Sequence, residues 1–295
     1  MPFRYFLQSW LEGAVQQKVR DTLLDAARQQ LQGAATQGPD AGCAERPEIC
    51  HAGVIFALGI EAAGLEDLLQ GTVTTKGHGF VVRQGGLAGR HVGVVLCGAG
   101  RENAAKATEA LIAGHQPLWV ISAGFAGGLD PKLRRSDILM VDHVVDTQGN
   151  QLTLDVKVDP AALAESPGVH VGRLLTADRV VRLPDEKQAL GRQYHARAVD
   201  METFAVAEVC HRRQVRFLAV RVINDAAGDE LPRDVEQLLA QKTGAARLGA
   251  AIGAIWRRPG SVKDLLKLKE NALVASDRLA KFLAAMIETL FPRAA

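Results

Sequence analysis

The alternation of apolar and polar positions divides this chain into a helical beginning, a strand-and-helix middle and a helical end. Between residues 3 and 32, Phe6, Leu7, Trp10, Leu11, Val15, Val19, Leu23, Leu24, Ala27 and Leu31 recur at steps of one, three and four, the spacing of one long amphipathic helix with a face to bury. Residues 33–47 mix Gly, Pro, Ala, Thr and Asp without a period and read as a linker. From His51 onward short apolar runs alternate with helical patterns. The runs Val54–Leu58, Phe80–Arg83, Val92–Leu96, Leu118–Ser122, Ile138–Val145, Gly172–Leu175 and Phe217–Ile223 predict strands, and Glu61–Gln70, Asn103–Ala113, Asp185–Tyr194 and Glu202–Arg212 predict helices. Such alternation predicts a three-layer α/β/α fold around a central mixed sheet. After Asp229 the pattern is helical to the end, interrupted at Arg257, Arg258, Pro259 and Gly260. The expected division is an N-terminal helix and linker (1–50), an α/β domain (51–235) and a C-terminal helical region packing on it (236–295).

Composition narrows the function. At 295 residues and 47% hydrophobic content the chain can bury an extensive core. Its 35 basic and 33 acidic residues leave a formal charge of +2, so no broad field favours nucleic acid as a partner, and a small molecule is expected instead. Cysteines 43, 50, 97 and 210 lack metal-ligand spacing, so no metal is expected, and a chain of this size needs no disulfides; a reducing cytoplasm fits. Arg4, Glu12, Lys18, Arg20 and Asp21 interrupt the first apolar positions, which argues against a signal peptide. No stretch of about twenty apolar residues exists to span a bilayer. Near the end, Lys263, Lys267, Lys269, Arg278 and Lys281 share a helix with Leu266, Leu273, Phe282, Met286 and Leu290. That helix is expected to pack on the core with its basic face in water; peripheral contact with a membrane surface is the other reading.

The candidate chemistry is carboxylate chemistry. Ala198, Val199, Asp200, Met201, Glu202 and Thr203 place a methionine and a carboxylate just before an apolar helix, and Arg221, Val222, Ile223, Asn224 and Asp225 end a buried strand on a second acid. A third, Glu61, follows an earlier strand. Acids delivered by neighbouring strand ends of an α/β domain suit acid/base work on a small polar substrate. Two glycine-rich segments adjoin them. Cys97, Gly98, Ala99, Gly100 and Arg101 form a strand-to-helix turn able to receive phosphate or ribose, but the turn lacks the dinucleotide fingerprint and the P-loop lysine, so no cofactor is expected. Ser122, Ala123, Gly124, Phe125, Ala126, Gly127, Gly128 and Leu129 follow the buried strand, where small residues let backbone approach a flat ligand.

Together AGFAGGL, VDMETFAVAEVC (199–210) and RVINDAAG (221–228) resemble the purine nucleoside phosphorylase and uridine phosphorylase superfamily. The resemblance is strongest to its methylthioadenosine/S-adenosylhomocysteine nucleosidase branch, and the tail at 256–272 also resembles hopanoid-associated phosphorylases. It implies a nucleoside phosphorylase-like fold, a homodimer, and cleavage of an N-glycosidic bond in an adenosine-type nucleoside with release of adenine. It further implies that Glu61 activates the attacking water, Asp225 protonates the leaving purine, Glu202 binds the ribose hydroxyls and Met201 packs on the sugar. Leaving-group protonation on one side and a nucleophile on the other suit an oxocarbenium-like transition state. Phe125, Ala126 and Gly127 would floor the pocket, with Arg221 and Asn224 orienting the acids. Three positions depart from the nucleosidases: Phe125 and Asn224 stand where serines are usual, and Val180 and Val181 where an aromatic ring stacks on the purine. An ionised Glu61 about 4 Å from the attack site would oppose phosphate by roughly 4 kcal/mol per unit charge at an effective dielectric of 20, so hydrolysis is expected over phosphorolysis. Gly100 and Arg101 are the candidates for holding phosphate if phosphorolysis operates. Cleavage of adenosylhopane or another lipid-linked nucleoside, and nucleoside binding without catalysis, stay open beside this reading.

Overall fold

The computed structural model of the chain describes residues 49–76, 80–154, 163, 166–231 and 262–292. The predicted helix at 3–32, the linker after it and the interruption at 257–260 lie outside the described residues. In chain order the elements are β1 (Ala52–Phe56), α1 (Gly59–Glu66), β2 (Gln70–Lys76), β3 (Val81–Leu87), β4 (Arg90–Leu96), α2 (Arg101–His115), β5 (Trp119–Gly128), β6 (Ile138–Asp146), β7 (Gln151–Thr153), β8 (Val169–Thr176), α3 (Pro184–Tyr194), β9 (Ala198–Asp200), α4 (Thr203–Arg213), β10 (Arg216–Asp225) and α5 (Val262–Leu290).

The ten strands form one mixed sheet in which β5 is the junction. It runs parallel to both β1 and β10, and its last residues pair antiparallel with β9. The pairings β10–β6, β6–β8 and β8–β9 then close a ring of five strands through β5, while β1, β4, β3 and β2 extend outward as an open sheet. Closure protects the edges of the ring.

Helices cover both faces. On one, α5 contributes Ala275, Leu279, Phe282, Leu283, Met286, Ile287 and Leu290, a helical stripe that packs with Ala62 and Leu65 of α1 on β1, β4, β5 and β10. On the outer side of the helix Arg278 reaches the carbonyl of Gly168 and Lys281 pairs with Asp277. Burial of each large apolar side chain in that stripe contributes on the order of 1.5–3 kcal/mol. Helices α1 and α5 approach closely at Gly64, where an added Cβ would lie 3.0 Å from both Ala280 Cβ and the Ser276 carbonyl. At the far end of α5 the buried guanidinium of Arg90 donates to the Phe291 carbonyl, with Nε at 2.6 Å. On the opposite face Ala104, Ala107 and Leu111 of α2 pack with Val206 and Cys210 of α4.

Three sequence expectations need correction. Residues 123–128 are not a turn after a strand but the second half of β5, because β10 continues to pair with them as far as Gly127. The first helix ends at Glu66, and Gln70 already belongs to β2, a fully exposed strand whose composition QGTVTTK gave no apolar alternation to detect. The three-residue strand β9 was hidden because its neighbours, β5 and β8, are supplied from far along the chain.

Candidate active site

The site is built where β5 passes the start of α1. Glu61 sits at the third position of α1, and its Oε2 accepts the Leu58 N–H at 2.8 Å, the reciprocal half of a capping box. Its Oε1 accepts the Phe125 N–H at 2.9 Å, so one carboxylate joins the helix start to mid-β5. Only glycine fits beneath it: a Cβ on Gly124 would stand 2.9 Å from Oε1. Glu61 is buried, and that burial raises its pKa, while the two N–H groups and the nearby Arg221 charge pull it back toward ionisation.

Glu61 lines a small cleft together with Cys97, Ser122, Phe125, Glu202 and Arg221. Glu202 reaches it because other groups do the capping of α4. Asp200 Oδ2 accepts the Thr203 N–H at 2.9 Å, and Thr176 Oγ1 accepts the Phe204 N–H at 3.0 Å, which leaves the Glu202 side chain free to turn inward. There Glu202 Oε1 accepts the Gly100 N–H at 2.7 Å. The glycine turn, with Gly98 and Gly100 at positive φ, therefore spends an N–H on a protein carboxylate. Burial, and then the charges of Asp200 and Glu61, push the Glu202 pKa up to about 8.

Arg221 is held behind this pair of acids. Its Nη2 lies 2.9 Å from Asp200 Oδ2, 2.7 Å from Ser122 Oγ and 2.6 Å from Thr203 Oγ1. The buried network ties β5, β9, β10 and the start of α4 into one unit, and the direct partner of Arg221 is Asp200 rather than Glu61 or Glu202. Arg101, at the start of α2, is engaged likewise: it pairs with Asp178 at 3.0 Å and Asp146 at 3.6 Å and stands over the Phe204 ring.

Asp225 lies further along the sheet. In register it stands opposite Gly127, three residues beyond Gly124 on β5, so the two acids are anchored about 10 Å apart at ~3.3 Å per residue. It does not line the Glu61 cleft. A β-bulge between Ile223 and Asp225 leaves Asn224 out of register, with its buried Oδ1 lacking a partner among the described residues. Asp225 Oδ2 lies 3.1 Å from where a Gly127 Cβ would be, and it accepts a hydrogen bond from Lys187 Nζ at 2.5 Å. Burial raises the Asp225 pKa, with Lys187 opposing. Of the remaining predicted residues, Met201 and Val180 are half-buried, Ala126 of β5 is buried in a core cluster, and Val181 packs into another with Leu129, Leu175 and Val199. Val181 is therefore core rather than a wall open to a ligand.

Two charged residues escaped the sequence reading. Asp200 was visible beside Glu202, but only the fold shows that it, and not Glu202, pairs with Arg221. Lys187, completely buried, carried a usable signal: it shares the i, i+3, i+4, i+7 face of α3 with Leu190, Gly191 and Tyr194, which is the face packed against Leu129. A lysine on an apolar stripe calls for a buried partner.

The sequence profile of the phosphorylase superfamily matches residues 51–255. A 5′-methylthioadenosine/S-adenosylhomocysteine nucleosidase of Tolumonas auensis is 29% identical over 226 residues, covering 68% of this chain and 97% of that protein. The enzyme of the same name from Bacillus thuringiensis is 31% identical over 210 residues, 64% of this chain and 91% of its own length. Among solved structures, the Neisseria meningitidis nucleosidase in complex with methylthio-immucillin-A superposes with a TM-score of 0.62 at 21% identity, covering 81% of this chain and 99% of that one. The Campylobacter jejuni nucleosidase does so with a TM-score of 0.62 at 15% identity over 81% and 99%. These two likenesses establish a shared fold.

Proposed function

The chain belongs to the phosphorylase superfamily, and from that premise we propose that it hydrolyses the N-glycosidic bond of an adenosine-type nucleoside carrying a 5′-thio substituent, with release of adenine. Methylthioadenosine and S-adenosylhomocysteine are the substrates by kinship with the nucleosidases it resembles along nearly their whole length.

The observation that carries the reading is the charge of the cleft. Glu61 and Glu202 both line it, Glu202 holding a proton near neutral pH, so Glu61 supplies the negative charge, and the adjoining cation, Arg221, is already matched by Asp200. Arg101 is likewise matched, by Asp178 and Asp146. Nothing cationic is left over among these groups to offset a phosphate dianion, which would meet roughly 4 kcal/mol of repulsion per unit charge at about 4 Å and an effective dielectric of 20. Water suffers no such opposition. Glu61, fixed by two backbone N–H groups, accepts a proton from that water as it attacks C1′. Glu202 hydrogen-bonds the ribose hydroxyls, with Met201 beside the sugar, and Phe125, Ala126 and Gly127 carry the backbone floor between the two acids. Asp225 delivers the proton that the purine needs as it leaves, and the bulge at Asn224 sets the direction in which that acid points.

The finer surroundings follow from the same reading. The enzyme works as a homodimer in the cytoplasm, where the buried thiols Cys50, Cys97 and Cys210 stay free. Light scattering at assay concentration tests the dimer.

The deciding experiment follows adenine release from methylthioadenosine and S-adenosylhomocysteine with and without phosphate. Hydrolysis gives release at the same rate in both, with the free 5-thiosugar as second product. A strict requirement for phosphate, with a sugar 1-phosphate as product, would overturn the assignment of water as nucleophile.

A further inference from the structure

Lys187 is completely buried, and its ammonium has three hydrogens and three acceptors: Asp225 Oδ2 at 2.5 Å, the Asp229 carbonyl at 2.8 Å and the Ala226 carbonyl at 3.0 Å. Every donor is matched, and the single countercharge is the acid assigned to the leaving group. A lysine that served only to join α3 to the turn after β10 would need only the carbonyls, and it would be costly to bury when an apolar residue could fill the same stripe. The third contact distinguishes the two oxygens of Asp225. Oδ2 is engaged by Lys187 and is the nearer of the two to Gly127, whereas Oδ1 accepts no hydrogen bond among the described residues.

We infer that Lys187 is a positioning residue for leaving-group protonation: it holds Asp225 by Oδ2, presents Oδ1 to the purine, and stabilises the carboxylate that appears when the proton is given up. This rests on the reading of Asp225 as the acid. As C1′–N9 breaks, its electron pair passes to the purine. The Oδ1–H bond breaks, N7–H forms, and the new negative charge on Asp225 is met by an ammonium that stays protonated throughout. The groups facing Asp225 are Lys187 from α3, Asp229 from the turn after β10 and Arg135 from the loop before β6, and Arg135 is itself paired with Asp229 at 2.8 Å. Lys187 is thus the cation in direct contact with the acid.

The test compares Lys187→Met, Asp225→Asn and the double variant in adenine release from methylthioadenosine across pH. Lys187→Gln, which keeps hydrogen-bond donors without the charge, is read in parallel should the methionine variant fold poorly. Removing the cation makes Asp225 a weaker acid, so the alkaline limb of kcat moves up by about one pH unit or more, kcat on the plateau falls about 10- to 100-fold, and KM stays within about threefold. In the Asp225→Asn background the same substitution then changes kcat by less than about twofold, because the two residues act as one unit. An unmoved alkaline limb, or an equal loss in both backgrounds, would overturn the role of Lys187 and leave Asp225 as the acid. A wild-type rate in Asp225→Asn alone would overturn both.

Discussion

A single methyl group added at Gly124 probes the catalytic geometry without replacing a charged residue. An alanine Cβ there would stand 2.9 Å from Glu61 Oε1, 3.1 Å from Cδ and 3.3 Å from Oε2, which is about 0.5 Å inside ordinary contact for the nearest atom. Neither partner yields easily. Gly124 is held in register by β10, opposite Arg221, and the Glu61 carboxylate is pinned by the Leu58 and Phe125 N–H groups. The carboxylate has the softer restraint, so it moves, and a 0.5 Å retreat takes the 2.9 Å bond from Phe125 to about 3.4 Å, outside the normal N–H···O range. Losing a hydrogen bond to a charged group costs about 1.5–3 kcal/mol. If that loss falls on the transition state, where Glu61 must meet the attacking water in line, kcat drops about 10- to 100-fold, with little change in KM. The assay is steady-state adenine release from methylthioadenosine, with thermal unfolding measured on the same protein. A folded Gly124→Ala enzyme with kcat within about twofold of wild type would refute the idea that the fixed position of Glu61 drives the reaction.

Three further expectations concern the other charged groups. Replacing Asp225 by Asn should lower kcat on the order of 10² to 10⁴, the usual span for a general acid, with KM affected less. Because the Glu202 pKa is raised to about 8 from 4.5, the native state holds a proton there that the unfolded chain has lost, so this residue contributes a fall in stability as pH rises from about 4.5 to 8. The difference in unfolding free energy between wild type and Glu202→Gln should therefore decline with pH across that window, by up to about 1.4 kcal/mol per unit; a flat difference would contradict the shift. Replacing Arg221 by Leu leaves Asp200 as an uncompensated buried charge and should destabilise the fold by about 3–5 kcal/mol in urea unfolding. Wild-type stability in that variant would show that the network is not cooperative.

The layered architecture was legible because most strands and helices of this fold are specified by their own residues. Val92–Leu96 and Phe217–Ile223 are apolar runs with no helical period, and Ala275 to Leu290 repeats at three and four whatever it packs on. The elements that were missed lack that local signature. β2 is polar along its whole length, and β9 is three residues long and exists because β5 and β8 flank it. Family motifs likewise brought Glu61, Glu202 and Asp225 to notice as separate acids.

What the residues alone determined was therefore the supply of carboxylates at strand ends and helix starts of an α/β domain. Tertiary structure decided how their charges are shared. Glu61 and Glu202 meet in one cleft because β5 carries Phe125 past α1 and the turn after β4 brings Gly100 to the start of α4. Asp200 takes Arg221, and Asp225, at the end of a strand, takes Lys187, a residue 38 positions away on a helix. Pairing in a folded interior depends on distances of a few ångströms between segments remote in sequence, and Coulomb energy falls with distance in space, not along the chain. A one-dimensional reading finds the acids; only the closed sheet assigns each one its partner.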